Sequence, residues 1–77
     1  MPTIKIIDST KVDIYSREHP PTHFHVLFAE YEELIIIETL ETYIGHVPAP
    51  QRKKVIKWAE SQKDLLRNNF KRLNPRL

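Results

Sequence analysis

Residues 23–38, which read HFHVLFAEYEELIIIE, predict the central hairpin of an antiparallel sheet. His23–Phe28 alternates polar and apolar residues, which is typical of a strand with two different faces. The segment that follows contains four consecutive apolar residues, so a strand there is apolar on both faces. We therefore expect strands at His23–Phe28 and Glu33–Glu38, joined by a turn at Ala29–Glu32.

The same alternation predicts further strands on both sides of this hairpin. Thr3–Asp8 and Lys11–Tyr15 alternate in the same way and are separated by the short polar turn Ser9-Thr10. Ser16–Thr22 is expected to be a loop, because its two consecutive prolines cannot donate hydrogen bonds within a sheet. Thr42–His46 is a candidate fifth strand, and its glycine indicates a bulge or a close backbone approach.

The pattern changes to a helical period after the prolines at 48 and 50. From about Ala49 to about Leu73, apolar residues recur every three or four positions, which predicts one long helix with an apolar stripe. Four residues are expected to face the sheet: Ile56, Ala59, Leu66 and Phe70. The predicted fold class is α+β, a single domain over residues 1–77 with an antiparallel meander of four to five strands and one long C-terminal helix packed on one face.

Composition limits the classes of function. The chain has 77 residues and no cysteine, which excludes disulfides and thiolate metal sites and favours a cytoplasmic protein. The longest apolar run is four residues, and we expect neither a signal peptide nor a membrane span. Residues 1–50 carry three basic and eight acidic side chains, whereas residues 51–77 carry nine basic and two acidic ones. The basic third of the chain is expected to meet solvent, RNA or an acidic protein.

Three of the four histidines lie within seven residues, at His19, His23 and His25. On a strand, His23 and His25 project from the same face. Imidazoles titrate near neutral pH, so these two are candidate acid–base residues for RNA cleavage. Together with His19 they are also candidate ligands of a divalent metal. The third alternative is that the histidines only pack, at an interface, against carbonyls or glutamates.

Residues next to the cluster extend these hypotheses. Arg17 is a candidate phosphate contact and Glu18 a candidate partner that orients a histidine. Tyr15 is a candidate binding residue that could stack on a base. Each also has a plain interpretation, as a solvated loop charge or an ordinary packed side chain. The sequence therefore leaves open whether the protein is an enzyme.

The faces of the predicted sheet suggest self-association. Phe24, Val26 and Phe28 share one face, which we assign to the helix, and His23, His25 and Leu27 share the other. The second face then carries one apolar side of the fourth strand and has no helix to cover it. Exposed apolar surface of this kind is typical of an interface. We therefore predict a homodimer, or a heteromer with a small partner protein, that buries this face.

The loop and third strand also resemble a known family. Residues 17–26 read REHPPTHFHV, followed by Tyr31-Glu32, Ile37-Glu38-Thr39 and Trp58-Ala59. This pattern is similar to the small bacterial family named domain of unknown function 4160, which shows H-x-P-P-H-F-H-V and a later Y-E-x-x-I-x-I-E-T stretch. The chain departs from it where Thr22 replaces the second proline and Ile36 replaces a common acid.

The resemblance implies a function only in outline. Genes of that family resemble one half of a toxin–antitoxin-like pair, so the chain is expected to be a component of a two-gene module that binds a partner protein, with RNA as an additional candidate ligand. The alternatives are a non-enzymatic module that binds a divalent metal through the histidine cluster and a plain dimeric interaction protein.

Overall fold

A computed structural model describes residues 3–16 and 18–75 of the chain. Within them, five strands precede two helices. The elements are β1 Thr3–Ile7, β2 Thr10–Asp13, β3 His23–Phe28, β4 Tyr31–Ile36, β5 Thr42–His46, α1 Ala49–Glu60 and α2 Lys63–Leu73. The α+β class and the antiparallel meander are confirmed.

The strands form one sheet in the order β1-β2-β3-β4-β5, and each neighbouring pair is antiparallel. Phe24 lies opposite Ile35 and His25 opposite Leu34, so one face carries the aromatic and apolar residues and the other carries the histidines. The predicted fourth strand, Glu33–Glu38, is wrong by two residues at each end. The turn is only Ala29-Glu30, because Ala29 adopts a φ of 53° and reverses the chain at once.

The prediction of one continuous helix is also wrong. Ser61 and Gln62 form i→i−3 hydrogen bonds to Trp58 and Ala59, and the chain bends before α2 begins. An unbroken helix over 25 residues would be about 37 Å long. The longest axis of the whole protein is 34 Å. The polar Gln62 interrupts the apolar stripe at this point. The bend lets the apolar residues of α1 and those of α2 both pack against the sheet.

The core lies between the helices and one face of the sheet. Each layer contributes apolar side chains that are almost wholly buried. They are Val12, Ile14, Phe24, Val26, Ile35, Ile37 and Val47 from the sheet side and Val55, Ala59, Leu66 and Phe70 from the helices. The predicted helix face is confirmed for Ala59, Leu66 and Phe70, which are buried. Ile56 also packs against this cluster but is only half-buried.

Glu33 is the exception in this core, since its side chain is charged and the residue is 1% exposed. Its carboxylate accepts hydrogen bonds from the Thr42 hydroxyl, the Val47 backbone N–H at 3.1 Å and Arg52 Nε at 2.8 Å. Burial by itself would raise the pKa of Glu33, but these hydrogen bonds and the Arg52 charge outweigh it, so the pKa lies below its ordinary value.

The start of β5 contains the irregularity that its glycine predicted. The register shifts between Leu34 and Ile35, which leaves Tyr43 as the extra residue of a bulge. Gly45 adopts a φ of +90°, and a Cβ there would lie 2.2 Å from the carbonyl oxygen of Glu32. Only glycine therefore fits this close approach of β5 to β4.

No helix in the described part of the chain is long and apolar enough to cross a membrane.

Candidate functional site

The histidine face of the sheet carries a cluster of polar side chains that are mostly buried. His23 and His25 come from β3, Glu32 comes from β4, and Glu18 lies on the loop between β2 and β3. The two imidazole rings lie 5.2 Å apart between centroids. We call Glu18, His23 and His25 the histidine–glutamate cluster.

His23 is fixed in one tautomer by its surroundings. Its Nδ1 lies 2.7 Å from the carbonyl oxygen of Pro21, and a carbonyl can only accept, so Nδ1 carries the proton. The lone pair of the neutral ring is then on Nε2. The residue is 2% exposed, and its Nε2 has no hydrogen-bond partner. The nearest charged group is the Glu18 carboxylate, with Oε2 at 3.6 Å from Nε2.

His25 lies between two carboxylates. Its Nδ1 is 2.9 Å from Glu32 Oε2, and its Nε2 is 2.5 Å from Glu18 Oε1. A neutral imidazole can donate through only one of its nitrogens. A neutral ring therefore satisfies only one of the two carboxylates, and the other contact lacks a donor. The residue is 8% exposed within its own chain.

Glu18 is held over the histidines by Asn74, which follows the last residue of α2. The Asn74 Oδ1 accepts from the backbone N–H of Glu18 at 2.7 Å, and its Nδ2 donates to the carbonyl of Tyr15 at 3.0 Å. The same Nδ2 lies 3.1 Å from the Phe70 carbonyl at the end of the helix. Asn74 thus ties the loop to α2 and sets the position of the Glu18 carboxylate.

Tyr15 and Asp13 form the floor beside His25. The Tyr15 ring packs edge-on against the His25 ring, with 4.5 Å between centroids, and its hydroxyl donates to Asp13 Oδ2 at 2.9 Å. Burial, together with the bond to Asp13, raises the pKa of Tyr15 to about 12, so its hydroxyl stays protonated. The other oxygen of Asp13, Oδ1, is buried and has no hydrogen-bond partner.

The electrostatic balance of this region favours a cation. Three carboxylates, from Asp13, Glu18 and Glu32, are arranged around two imidazoles. The ion pairs of Glu18 and Glu32 within the described residues are with these imidazoles. Negative charge with little access to water is costly without compensation; the Glu18 side chain is 18% exposed, whereas that of Glu32 is 49% exposed. Ligand atoms of Glu18, His23 and His25 lie within 4.8 Å of one another, which is close enough for the three to be candidate ligands of one ion.

The structure brings together only part of the predicted site. His23 and His25 are adjacent, and Tyr15 contacts His25. His19, the third candidate ligand from the sequence, is exposed and lies outside the histidine–glutamate cluster. Glu18 is the third member of the cluster instead. Arg17 lies outside the described residues. Their own chain already buries His23 and His25, and the dimer or heteromer over this face stays a prediction.

Sequence reasoning missed Asn74, Asp13 and Glu32 as members of this region. Asp13 and Glu32 could have been found from strand register, since both share the face of His25. Asn74 gave no signal, because 56 residues separate it from Glu18 and an asparagine after a helix is usually an ordinary cap.

One comparison with known proteins gave a match. A family model described as Domain of unknown function (DUF4160) matches residues 10–71. No curated protein and no solved structure matches the chain. The matched range contains the whole histidine–glutamate cluster and ends three residues before Asn74.

Proposed function

The chain belongs to the family described as Domain of unknown function (DUF4160), and we propose that it is a module that binds a divalent transition-metal ion through Glu18, His23 and His25. Two imidazoles and a carboxylate are a donor set that suits zinc. Compared with the set expected from sequence, Glu18 replaces the exposed His19.

One observation carries this proposal. Both histidines present Nε2 to the same Glu18 carboxylate while Nδ1 is held from behind, by the Pro21 carbonyl in one case and by the Glu32 carboxylate in the other. Metal-ligating histidines in proteins use this arrangement, because the outer hydrogen bond fixes the ring and makes the ligating nitrogen more basic. The unpartnered Nε2 of His23 would then be satisfied by the metal.

The geometry supports acid–base cleavage of RNA at His23 and His25 less well. Both rings are buried, and an attacking or leaving oxygen would have to reach them past Glu18 and Tyr15. A phosphodiester would also bring negative charge beside the Glu18 and Glu32 carboxylates, which repels it. A bound metal ion would add positive charge and so reverse the sign of the electrostatic potential in this region.

Titration of metal-free protein with zinc chloride tests the proposal. We expect binding tighter than about 1 µM, equivalent to about 8 kcal/mol, by isothermal calorimetry. His23→Gln, His25→Gln and Glu18→Gln should each weaken binding, whereas His19→Gln and His46→Gln serve as matched controls on exposed histidines. Cobalt(II) absorption in the visible range would report the same ligands spectroscopically. Weaker binding in the wild type, or equal losses in the controls, would contradict the proposal.

A second candidate function is partner binding within a toxin–antitoxin-like module, and a groove on α1 favours it. The groove has a volume of about 370 Å³. It is lined by Ala49, Arg52, Lys53, Ile56, Lys57 and Glu60. Lys53 and Lys57 are exposed, so the groove suits an acidic segment of a partner protein encoded by the neighbouring gene.

Charge reversal tests this second candidate. The double variant Lys53→Glu and Lys57→Glu should weaken binding of the purified partner, and more strongly at low salt. Lys11→Glu, on the sheet, is the control. If the variant instead loses binding to RNA and keeps the partner, the groove is a nucleic-acid site. If neither ligand binds the wild type, this candidate fails and the metal proposal is unaffected.

A further inference from the structure

The strand β5 forms one edge of the sheet and is exposed along its whole length. Within the described residues it pairs only with β4. Tyr43 is 45% exposed and Ile44 is 57% exposed. An unpaired edge of this kind offers a row of backbone donors and acceptors to another strand.

The two edges of the sheet differ in how they are protected. The opposite edge, β1, has Lys5 at its centre, and an exposed lysine blocks pairing with another chain. The central residue of β5 is Ile44, and the strand contains no Lys, Asp, Glu or Pro. Antiparallel self-pairing of β1 would place Lys5 directly opposite its own copy, whereas self-pairing of β5 would place Ile44 opposite Ile44.

We infer that β5 pairs antiparallel with β5 of a second copy of this chain, around a two-fold axis at Ile44, to give a continuous ten-stranded sheet. The strand complements itself in this register. Tyr43 lies opposite the glycine at position 45 of the partner copy, so the ring covers a position that has no side chain. Thr42 lies opposite the partner's His46, and no like charges meet.

Two exposed side chains of β5 also lie beside the histidine face. Tyr43 lies near His23, with 6.2 Å between ring centroids, and Leu34 lies opposite Ile44. A two-fold contact buries Tyr43 and Ile44 of both copies, because the same residues face each other. This inference does not depend on metal binding.

Sedimentation of the wild type and two lysine variants tests the inference. A small strand-to-strand interface is expected to be weak, so the wild type should become dimeric only at about 10–100 µM. Ile44→Lys places two positive charges across the axis and should raise the dissociation constant at least tenfold. Ile6→Lys, at a residue that is 60% exposed on the other edge, should leave it unchanged.

Single-cysteine variants make the test independent of stability. The chain has no cysteine, so Ile44→Cys introduces the only thiol. Opposed residues of paired strands have Cα atoms about 4.5–5.5 Å apart, within the range that a disulfide spans. A mild thiol oxidant should therefore cross-link Ile44→Cys between copies much faster than Ile6→Cys. A wild type that stays monomeric throughout this range, or equal cross-linking of the two variants, would overturn the inference.

Discussion

Glu33 and Glu18 place carboxylates on opposite sides of the same sheet, and their surroundings differ in one respect. Three donors and the positive charge of Arg52 satisfy Glu33, which the helices bury. Glu18 faces two imidazoles, one of which has an unpartnered nitrogen. A buried charge that is fully compensated stabilises one arrangement of the chain, whereas a partly compensated group is free to bind a ligand. The first region is therefore structural and the second is the candidate site.

The largest expected effect is a loss of folding stability that is much greater for substitution of Glu33 than for substitution of Glu18. Glu33→Ala leaves Arg52 and the Val47 N–H without their acceptor and should cost about 3–5 kcal/mol in urea unfolding. Glu18→Gln in metal-free protein should cost less than about 1 kcal/mol, because it removes one of three crowded carboxylates. Glu30→Ala, in the exposed turn, is the control. Equal losses for Glu18 and Glu33 would remove the distinction.

The next effect is stabilisation by metal. Zinc at 100 times its dissociation constant should raise the free energy of unfolding by about 2.7 kcal/mol, because it binds the folded chain. His23→Gln should abolish this increase and leave the metal-free stability measurable in the same urea titration. An increase that survives in His23→Gln would assign the metal to another part of the chain.

Asn74 should affect affinity more than stability. Asn74→Ala removes the contacts that hold the Glu18 loop against α2, and a loss of such outer contacts is expected to weaken zinc binding about 10–100-fold. Asn69→Ala, at a half-buried asparagine within α2, is the control. Calorimetry gives the affinity and urea unfolding of the metal-free protein gives the stability. A change in stability alone would make Asn74 a helix cap and no more.

The smallest expected effect is on the loss of folding stability at acid pH. The pKa of Glu33 in the folded chain lies below its ordinary value of 4.5, so its stabilisation is complete above that pH and is lost as the pH falls through the folded pKa. Each unit of lowering corresponds to about 1.4 kcal/mol. Glu33→Gln should therefore flatten the fall in stability below pH 4.5, measured by urea unfolding at several pH values. If stability falls below pH 4.5 as steeply in the variant as in the wild type, other carboxylates account for that fall.

The proposed β5 contact extends the comparison to the edges of the sheet. Lys5 at the centre of β1 disfavours self-pairing there, whereas nothing charged lies along β5. The difference rests on single residues, so a lysine added to β5 should break the contact and a lysine added to β1 should not. This is why Ile44→Lys and Ile6→Lys are informative as a pair.

The sequence alone determined the local elements, because strand and helix periods are read from neighbouring residues. His23–Phe28 and Thr42–His46 were predicted with their observed bounds, and so was the shared face of His23 and His25. Gly45 also signalled its bulge, since few other reasons place a lone glycine in a strand.

Only the tertiary structure decided which distant residues meet. The bend at Ser61-Gln62 separates two helices that both pack on β3, and the charge of Glu33 is tolerated because Arg52 reaches it from α1. Glu18 could be named from sequence as a partner of a histidine, but its place over His23 and His25 is set by Asn74 from the far end of the chain. Periodicity carries no record of such contacts, because they depend on how the helices cross the sheet and not on spacing along the chain.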